Sequence, residues 1–155
     1  LISSLYHAFS VRDNYGGLPI LDNPPTTIKK ATTNYIVIKK LYSYIVLSNY
    51  KTSSEYNTLR LTLPSNVDKL MRKYIINNNI QIGDPLFPEK SLSNFVSNMT
   101  VSIGYEGLNG INAFRHMRIS ELDGGASYEE KVALANTMAH SVITQKNYRR
   151  NLEVV

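Results

Sequence analysis

The hydrophobic pattern of the chain changes its period at Ser65, and this change separates two kinds of structure. Before it, three β-rich runs follow one another, and the last of them, residues 59–63, alternates apolar and polar residues. After it, apolar residues such as Val67 and Leu70 recur at the spacing of one helix face. The sequence therefore predicts a small three-stranded antiparallel sheet over residues 34–63, followed by helices.

Helical patterns account for most of the remaining chain. The first ten residues carry apolar side chains at helical spacing and predict a helix before the sheet. Beyond Ser65, which we expect to cap a helix, further helices are predicted over residues 91–106, with Phe95 facing inward, and over residues 112–122. A last helix opens with a capping box at residues 127–130. This order of elements indicates the α+β class, mainly α.

Length and charge limit the class of protein. The 155 residues suit one domain with its own core, so residues 1–155 are expected to form a single domain. Because the chain begins with Leu inside a helical pattern, we expect it to be the C-terminal part of a longer protein. No apolar run reaches the roughly 18 residues of a membrane span, so no membrane partner is predicted. The net charge of +5 favours a polyanionic partner.

The residue types exclude several kinds of chemistry. The chain has no cysteine, which excludes disulfides and thiolate catalysis. Its three histidines form no cluster with the spacing of metal ligands, so we expect neither a metal nor another cofactor. Cations and hydroxyl groups at the junctions between elements, where sites tend to be built, are the remaining candidates.

Five candidates stand at or near such junctions: Arg12, Lys51, Arg115, His140 and Tyr148. Taken singly, each has a simpler explanation, such as an arginine or histidine that caps helix carbonyls or a solvated turn lysine. A tyrosine hydroxyl has a pKa of about 10 and is a poor nucleophile by itself. Basic neighbours and a phosphate target would change this, because they stabilise the phenolate and the charged transition state.

Taken together in this order, the candidates resemble the catalytic domain of the tyrosine recombinases, the phage-integrase family. Residues 5–15 resemble the first arginine box of the family, and residues 49–63 resemble its lysine hairpin. Residues 114–117 resemble the second box, and residues 138–141 resemble the "LGHS" motif that precedes the nucleophile, in whose place Tyr148 stands. The sequences of these motifs are most similar to those of divergent family members from large DNA viruses, virophages and mobile elements of protists.

The resemblance implies metal-free cleavage and rejoining of DNA strands through a 3′-phosphotyrosyl intermediate, as in site-specific recombination and integration. Tyr148 would attack the scissile phosphate, and Lys51 would protonate the leaving 5′-oxygen. Arg12, Arg115 and His140 would donate hydrogen bonds to the phosphate oxygens. The partner would be double-stranded DNA, bound by a homotetramer, inside a host nucleus or in a viral factory or the cytoplasm.

Three further residues are expected to bind phosphate. Arg149 and Arg150 directly follow Tyr148. Asn112 stands three residues before Arg115, where the family usually has His or Lys. An amide can donate a hydrogen bond to a phosphate oxygen but cannot act as an acid or a base. Asn112 is therefore a departure from the family pattern.

Other functions remain open from the sequence. A type IB topoisomerase or a telomere resolvase would use the same chemistry and differ in which strand is rejoined. A degenerate DNA-binding module without catalysis would agree with Asn112. A basic structural protein without a nucleic-acid role is the third alternative.

Overall fold

The structure is a computed structural model, and it describes residues 1–12, 14–25, 33–102, 110–123 and 125–145. These residues form one helix, a small sheet with a short helix in its last connection, and then further helices. In chain order the elements are α1 (Ile2–Ala8), β1 (Ile20–Leu21), β2 (Tyr35–Ile38), β3 (Ser43–Leu47), α2 (Ser53–Tyr56), β4 (Leu59–Thr62), α3 (Ser65–Asn77), α4 (Ser93–Ser102), α5 (Ile111–Asp123), α6 (Tyr128–Thr137) and α7 (Val142–Gln145).

The sheet has the strand order β1-β2-β3-β4 and is mixed. Strands β2, β3 and β4 pair antiparallel, as predicted, with Ile36 opposite Ile45 and Ile45 opposite Leu61. The prediction of a three-stranded antiparallel sheet is nevertheless wrong, because β1 adds a fourth strand parallel to β2. β1 has only two residues and directly follows Pro19, so its sequence has no alternating pattern from which a strand could be predicted.

Both faces of the central strands are buried. Ile36 and Ile45 belong to the main core, where they join Leu5 of α1 and Met71 of α3. The alternate residues of β2 and β3 form a second cluster on the opposite face: Tyr35, Val37, Tyr44 and Val46. Burial on both faces explains why these two strands are nearly continuous apolar runs, whereas β4 alternates.

The predicted helices are present among the described residues, and residues 103–106 of the helix expected over 91–106 lie outside them. Three details differ. Pro64 occupies the N-cap position of α3, so the capping role expected of Ser65 is wrong. Leu70 is 39% exposed and Phe95 is 54% exposed, although the sequence places both on inward faces. Phe95 lies in the first turn of α4 and lines an open groove beside Met99 instead of entering the core. An apolar stripe along a helix can thus be wider than the surface that covers it.

The last two helices place the segment that carries His140. As predicted, a capping box opens α6: the Ser127 hydroxyl accepts from the Glu130 amide at 3.2 Å, and the Glu130 carboxylate accepts from the Ser127 amide at 2.7 Å. α6 ends at Thr137, and the chain turns before α7 begins at Val142. Among the described helices, none is long and apolar enough to cross a membrane.

Candidate functional site

Arg115 lies at the centre of the candidate site. Helix α5 carries its side chain into the interior, where it is 0% exposed. Its Nη1 donates to the carbonyl oxygen of Ser10 at 2.6 Å, and its Nη2 lies 3.4 Å from the carbonyl oxygen of Met138. The guanidinium therefore joins α5 to the segment that follows α1 and to the turn that follows α6.

Two more candidates stand two residues beyond these carbonyl groups. Arg12 follows Ser10 and is half-buried, and His140 follows Met138 and is 5% exposed. Burial, together with the nearby charges of Arg115 and then Arg12, lowers the pKa of His140 from 6.5 to about 4. His140 is therefore a neutral imidazole at pH 7 beside two permanent cations. Its Nε2 lies 3.2 Å from the sulfur of Met138.

The turn that holds His140 is a well-defined helix ending. The His140 amide donates to the Ala135 carbonyl and the Ala139 amide donates to the Asn136 carbonyl, both at 3.1 Å. This pair of hydrogen bonds is a Schellman motif, whose residue after the C-cap takes a left-handed conformation. Ala139 occupies that position with a φ of +52°. Glycine is the usual residue there, which gives a physical reason for the glycine of the "LGHS" motif that residues 138–141 resemble.

The hairpin between β3 and β4 packs against the same turn. Lys51 is exposed at the start of this hairpin, and the next residue, Thr52, donates from its hydroxyl to the Ala139 carbonyl at 2.9 Å. The tip of the hairpin contains a short helix, α2, and the Tyr50 hydroxyl closes the loop by donating to the Asn57 carbonyl. A small cavity between hairpin and turn is lined in part by Arg12, Asn14, Tyr50, Thr52 and Ala139.

The structure thus brings Arg12, Arg115 and His140 together and places the Lys51 hairpin beside them. Asn112 is exposed on α5, one turn before Arg115. The remaining predicted residues, Tyr148, Arg149 and Arg150, lie outside the described residues. Among the described residues, no group of three His, Cys, Asp or Glu side chains could hold a metal ion.

Sequence reasoning missed two residues that assemble the site. Ser10 contributes a carbonyl oxygen to Arg115, and Thr52 contributes its hydroxyl to the His140 turn. Backbone acceptors leave no trace in the sequence. Thr52 could only have been suspected because it directly follows Lys51, since its partner lies 87 residues away.

Comparison with known proteins yields a likeness in structure. No protein-family model and no curated protein sequence matches the chain. Among solved structures, the chain is similar to the site-specific recombinase XerH bound to its difH substrate in a pre-cleavage complex, with a TM-score of 0.57 and 15% sequence identity. The match covers 97% of this chain and 42% of that protein, so this chain spans less than half of its length. At this identity the likeness shows a shared fold: the chain has the fold of part of a site-specific recombinase, as the resemblance in its sequence implies.

Proposed function

We propose that this chain is the catalytic domain of a tyrosine recombinase, within a longer protein, that cleaves and rejoins duplex DNA. The observation that carries the proposal is the convergence of Arg12, Arg115 and His140, with the Lys51 hairpin packed on the same turn. Two guanidinium groups beside an imidazole can together offer several hydrogen-bond donors and a positive field to a bound anion. A phosphodiester is such an anion, and the recombinase fold supports this choice.

In the proposed reaction, the Tyr148 oxygen bonds to the scissile phosphorus while the bond from phosphorus to the 5′-oxygen breaks. The phenolic proton passes to solvent, and the ammonium group of Lys51 gives a proton to the leaving 5′-oxygen. One phosphodiester replaces another, so the reaction needs no ATP, and the reverse attack by a 5′-hydroxyl rejoins the strand. We propose that a homotetramer holds two duplexes for this exchange.

The cations would stabilise the transition state in different ways. Arg12 is half-buried at the edge of the site, where its planar group can donate to phosphate oxygens. Arg115 would act from its buried position, where little water screens its charge. His140, as a neutral imidazole, would donate a single hydrogen bond. Asn112, Arg149 and Arg150 would contact flanking phosphates.

Two described tyrosines near the site are poor alternatives to Tyr148. Burial, reinforced by Tyr56, raises the pKa of Tyr50, whose hydroxyl is held by the Asn57 carbonyl. Burial also raises the pKa of Tyr15 well above its usual value, and its hydroxyl donates to the Phe9 carbonyl at 2.7 Å. Neither hydroxyl readily yields a phenolate.

The test is covalent capture on a pool of nicked duplexes of randomised sequence, in EDTA, resolved on a denaturing gel. The nick lets the short fragment that carries the leaving 5′-hydroxyl dissociate after cleavage, so the strand is not rejoined and the protein stays attached to its DNA. The wild-type protein should be captured and Tyr148→Phe should not, although it lacks only one hydroxyl group. Tyr128→Phe is the matched control, because Tyr128 is 69% exposed at the start of α6 and should be dispensable.

Capture that persists in Tyr148→Phe, or that needs an added divalent metal, would show that the residue or the chemistry is wrongly assigned. Binding without any capture would favour the non-catalytic module. Once capture is established, exchange of strands between two duplexes distinguishes a recombinase from a topoisomerase, which would relax a supercoiled plasmid instead. Closure of DNA ends into hairpins would identify a telomere resolvase.

A further inference from the structure

The hairpin that carries Lys51 is fastened to the turn that carries His140 by a side-chain hydrogen bond. The Thr52 hydroxyl donates to the Ala139 carbonyl at 2.9 Å. Thr52 is half-buried and Ala139 is 6% exposed, so water competes little for this bond. Lys51, one residue earlier, is exposed. The bond therefore fixes the backbone next to Lys51 relative to the backbone next to His140.

We propose that Thr52 is a positioning residue that sets where the Lys51 ammonium stands relative to the phosphate, an inference that rests on the proposed function. A lysine side chain is long and flexible, so its reach is useful only if its backbone is well placed. Proton transfer needs hydrogen-bond distance between donor and acceptor, and a displacement of about 1 Å can lower a rate about 10²-fold. Anchoring the adjacent residue limits such displacement.

Two other side-chain hydrogen bonds of the hairpin join residues within the loop. The Tyr50 hydroxyl and the Asn57 carbonyl close the loop on itself. The Ser48 and Thr58 hydroxyls share a hydrogen bond of 3.1 Å at its exposed base. Thr52 differs, because its acceptor belongs to the Schellman turn and is held there by the backbone hydrogen bonds that place His140.

A merely structural role for Thr52 makes a different prediction from a positioning role. If the hydrogen bond only stabilises the fold, its loss should slow cleavage of every substrate to the same extent. If it positions the acid, the loss should matter only when the leaving group needs a proton. A 5′-bridging sulfur at the scissile phosphate leaves as a thiolate without an acid, so it separates the two roles.

The experiment measures single-turnover cleavage by the full chain on two duplexes that differ only in a 5′-oxygen or 5′-sulfur at the scissile bond. Thr52→Val keeps the shape of the side chain and removes the hydroxyl donor. It should cleave the oxygen substrate at least about 10-fold more slowly than the wild type and the sulfur substrate within about 2-fold. Thr52→Ser, which restores the hydroxyl, should cleave the oxygen substrate at the wild-type rate. Lys51→Ala should share the pattern of Thr52→Val.

Thr58→Val is the matched control, because it removes a hydroxyl from the same hairpin that does not contact the site. It should cleave both substrates like the wild type. Thr52→Ala serves as the second variant if Thr52→Val unfolds, which thermal melting would reveal. Equal slowing on both substrates, or full activity of Thr52→Val on the oxygen substrate, would overturn the positioning role. Failure of the wild type on both substrates would instead refute the proposed function.

Discussion

The Nη1 atom of Arg115 lies 2.6 Å from the carbonyl oxygen of Ser10, two residues before Arg12. The same guanidinium reaches the carbonyl oxygen of Met138, two residues before His140. One buried side chain thus holds the two segments that present the other candidate groups. Arg115 has a structural role in addition to the electrostatic role proposed for it, and replacing it should affect stability and catalysis together.

Arg115→Ala should lower the free energy of unfolding by roughly 3 kcal/mol or more, because it leaves two buried carbonyl groups without their charged donor. Urea unfolding measures this change. Arg115→Lys keeps the charge but replaces the planar guanidinium with a compact ammonium group, so it should lose less stability than Arg115→Ala. It should still reduce covalent capture by roughly 10²–10³-fold. Arg118→Ala is the control on the same helix, where an ion pair with Glu121 should contribute at most about 1 kcal/mol. Equal stability of Arg115→Ala and Arg118→Ala would contradict this role.

Ala139→Gly should raise the free energy of unfolding by up to about 1 kcal/mol, because the φ of +52° is unfavourable for a residue with a Cβ. The loss of a buried methyl group offsets part of the gain. Ala133→Gly in the exposed middle of α6 should have the opposite effect and cost about 1 kcal/mol. Thermal melting should show a higher melting temperature than the wild type for Ala139→Gly and a lower one for Ala133→Gly. A destabilised Ala139→Gly would mean that packing of the methyl group outweighs the backbone strain.

The sequence predicts those parts of the fold that have a local pattern. The three longer strands alternate or form apolar runs, and the capping box at Ser127 marks the start of α6, so both were predictable. β1 was not, because two residues beside a proline have no periodicity, and their pairing with β2 depends on tertiary contacts. The exposure of Phe95 depends on which surfaces meet it, which a helical stripe does not specify.

The sequence supplies candidate residues for the site, whereas their relative geometry comes from the structure alone. The order of Arg12, Lys51, Arg115 and His140 suggested one site, and the structure brings the first, third and fourth together. The deep burial of Arg115 could not be foreseen, since its acceptors are backbone carbonyls. Thr52 was missed for a similar reason, because its partner is the carbonyl of Ala139.

Binding to duplex DNA should weaken steeply as salt increases, because phosphate contacts release condensed counterions. Fluorescence anisotropy across a salt series measures the slope of log affinity against log salt. Arg149→Ala and Arg150→Ala should each reduce the magnitude of the slope by about 1 and weaken binding to unrelated sequences alike. Arg72→Ala is the control for the loss of a cation, because the Arg72 guanidinium already forms an ion pair with the Asp68 carboxylate at 2.9 Å. An affinity independent of salt would exclude a phosphate-docking surface.

The low pKa of His140 should make the protein less stable in acid. An unfolded chain protonates this histidine near pH 6.5, whereas the folded protein resists protonation down to about pH 4. The contribution of His140 to stability is therefore complete above pH 6.5 and declines as the pH falls from 6.5 towards 4, by up to roughly 3 kcal/mol. His140→Asn should flatten the stability curve in this window, measured by urea unfolding at a series of pH values. His7→Gln, which removes an exposed imidazole on α1, is the matched control.

DNA should change the same pKa in the opposite direction, which connects stability with the proposed site. A phosphate between Arg12 and Arg115 would oppose the two charges that lower the pKa of His140, so bound DNA should raise that pKa. NMR titration of the His140 ring signals, with and without a short duplex and in the Tyr148→Phe variant to prevent cleavage, measures the shift. The signals of His7 provide the internal control. An unchanged pKa in a DNA complex would place the phosphate away from His140, and the convergence of the two arginines would then need another explanation.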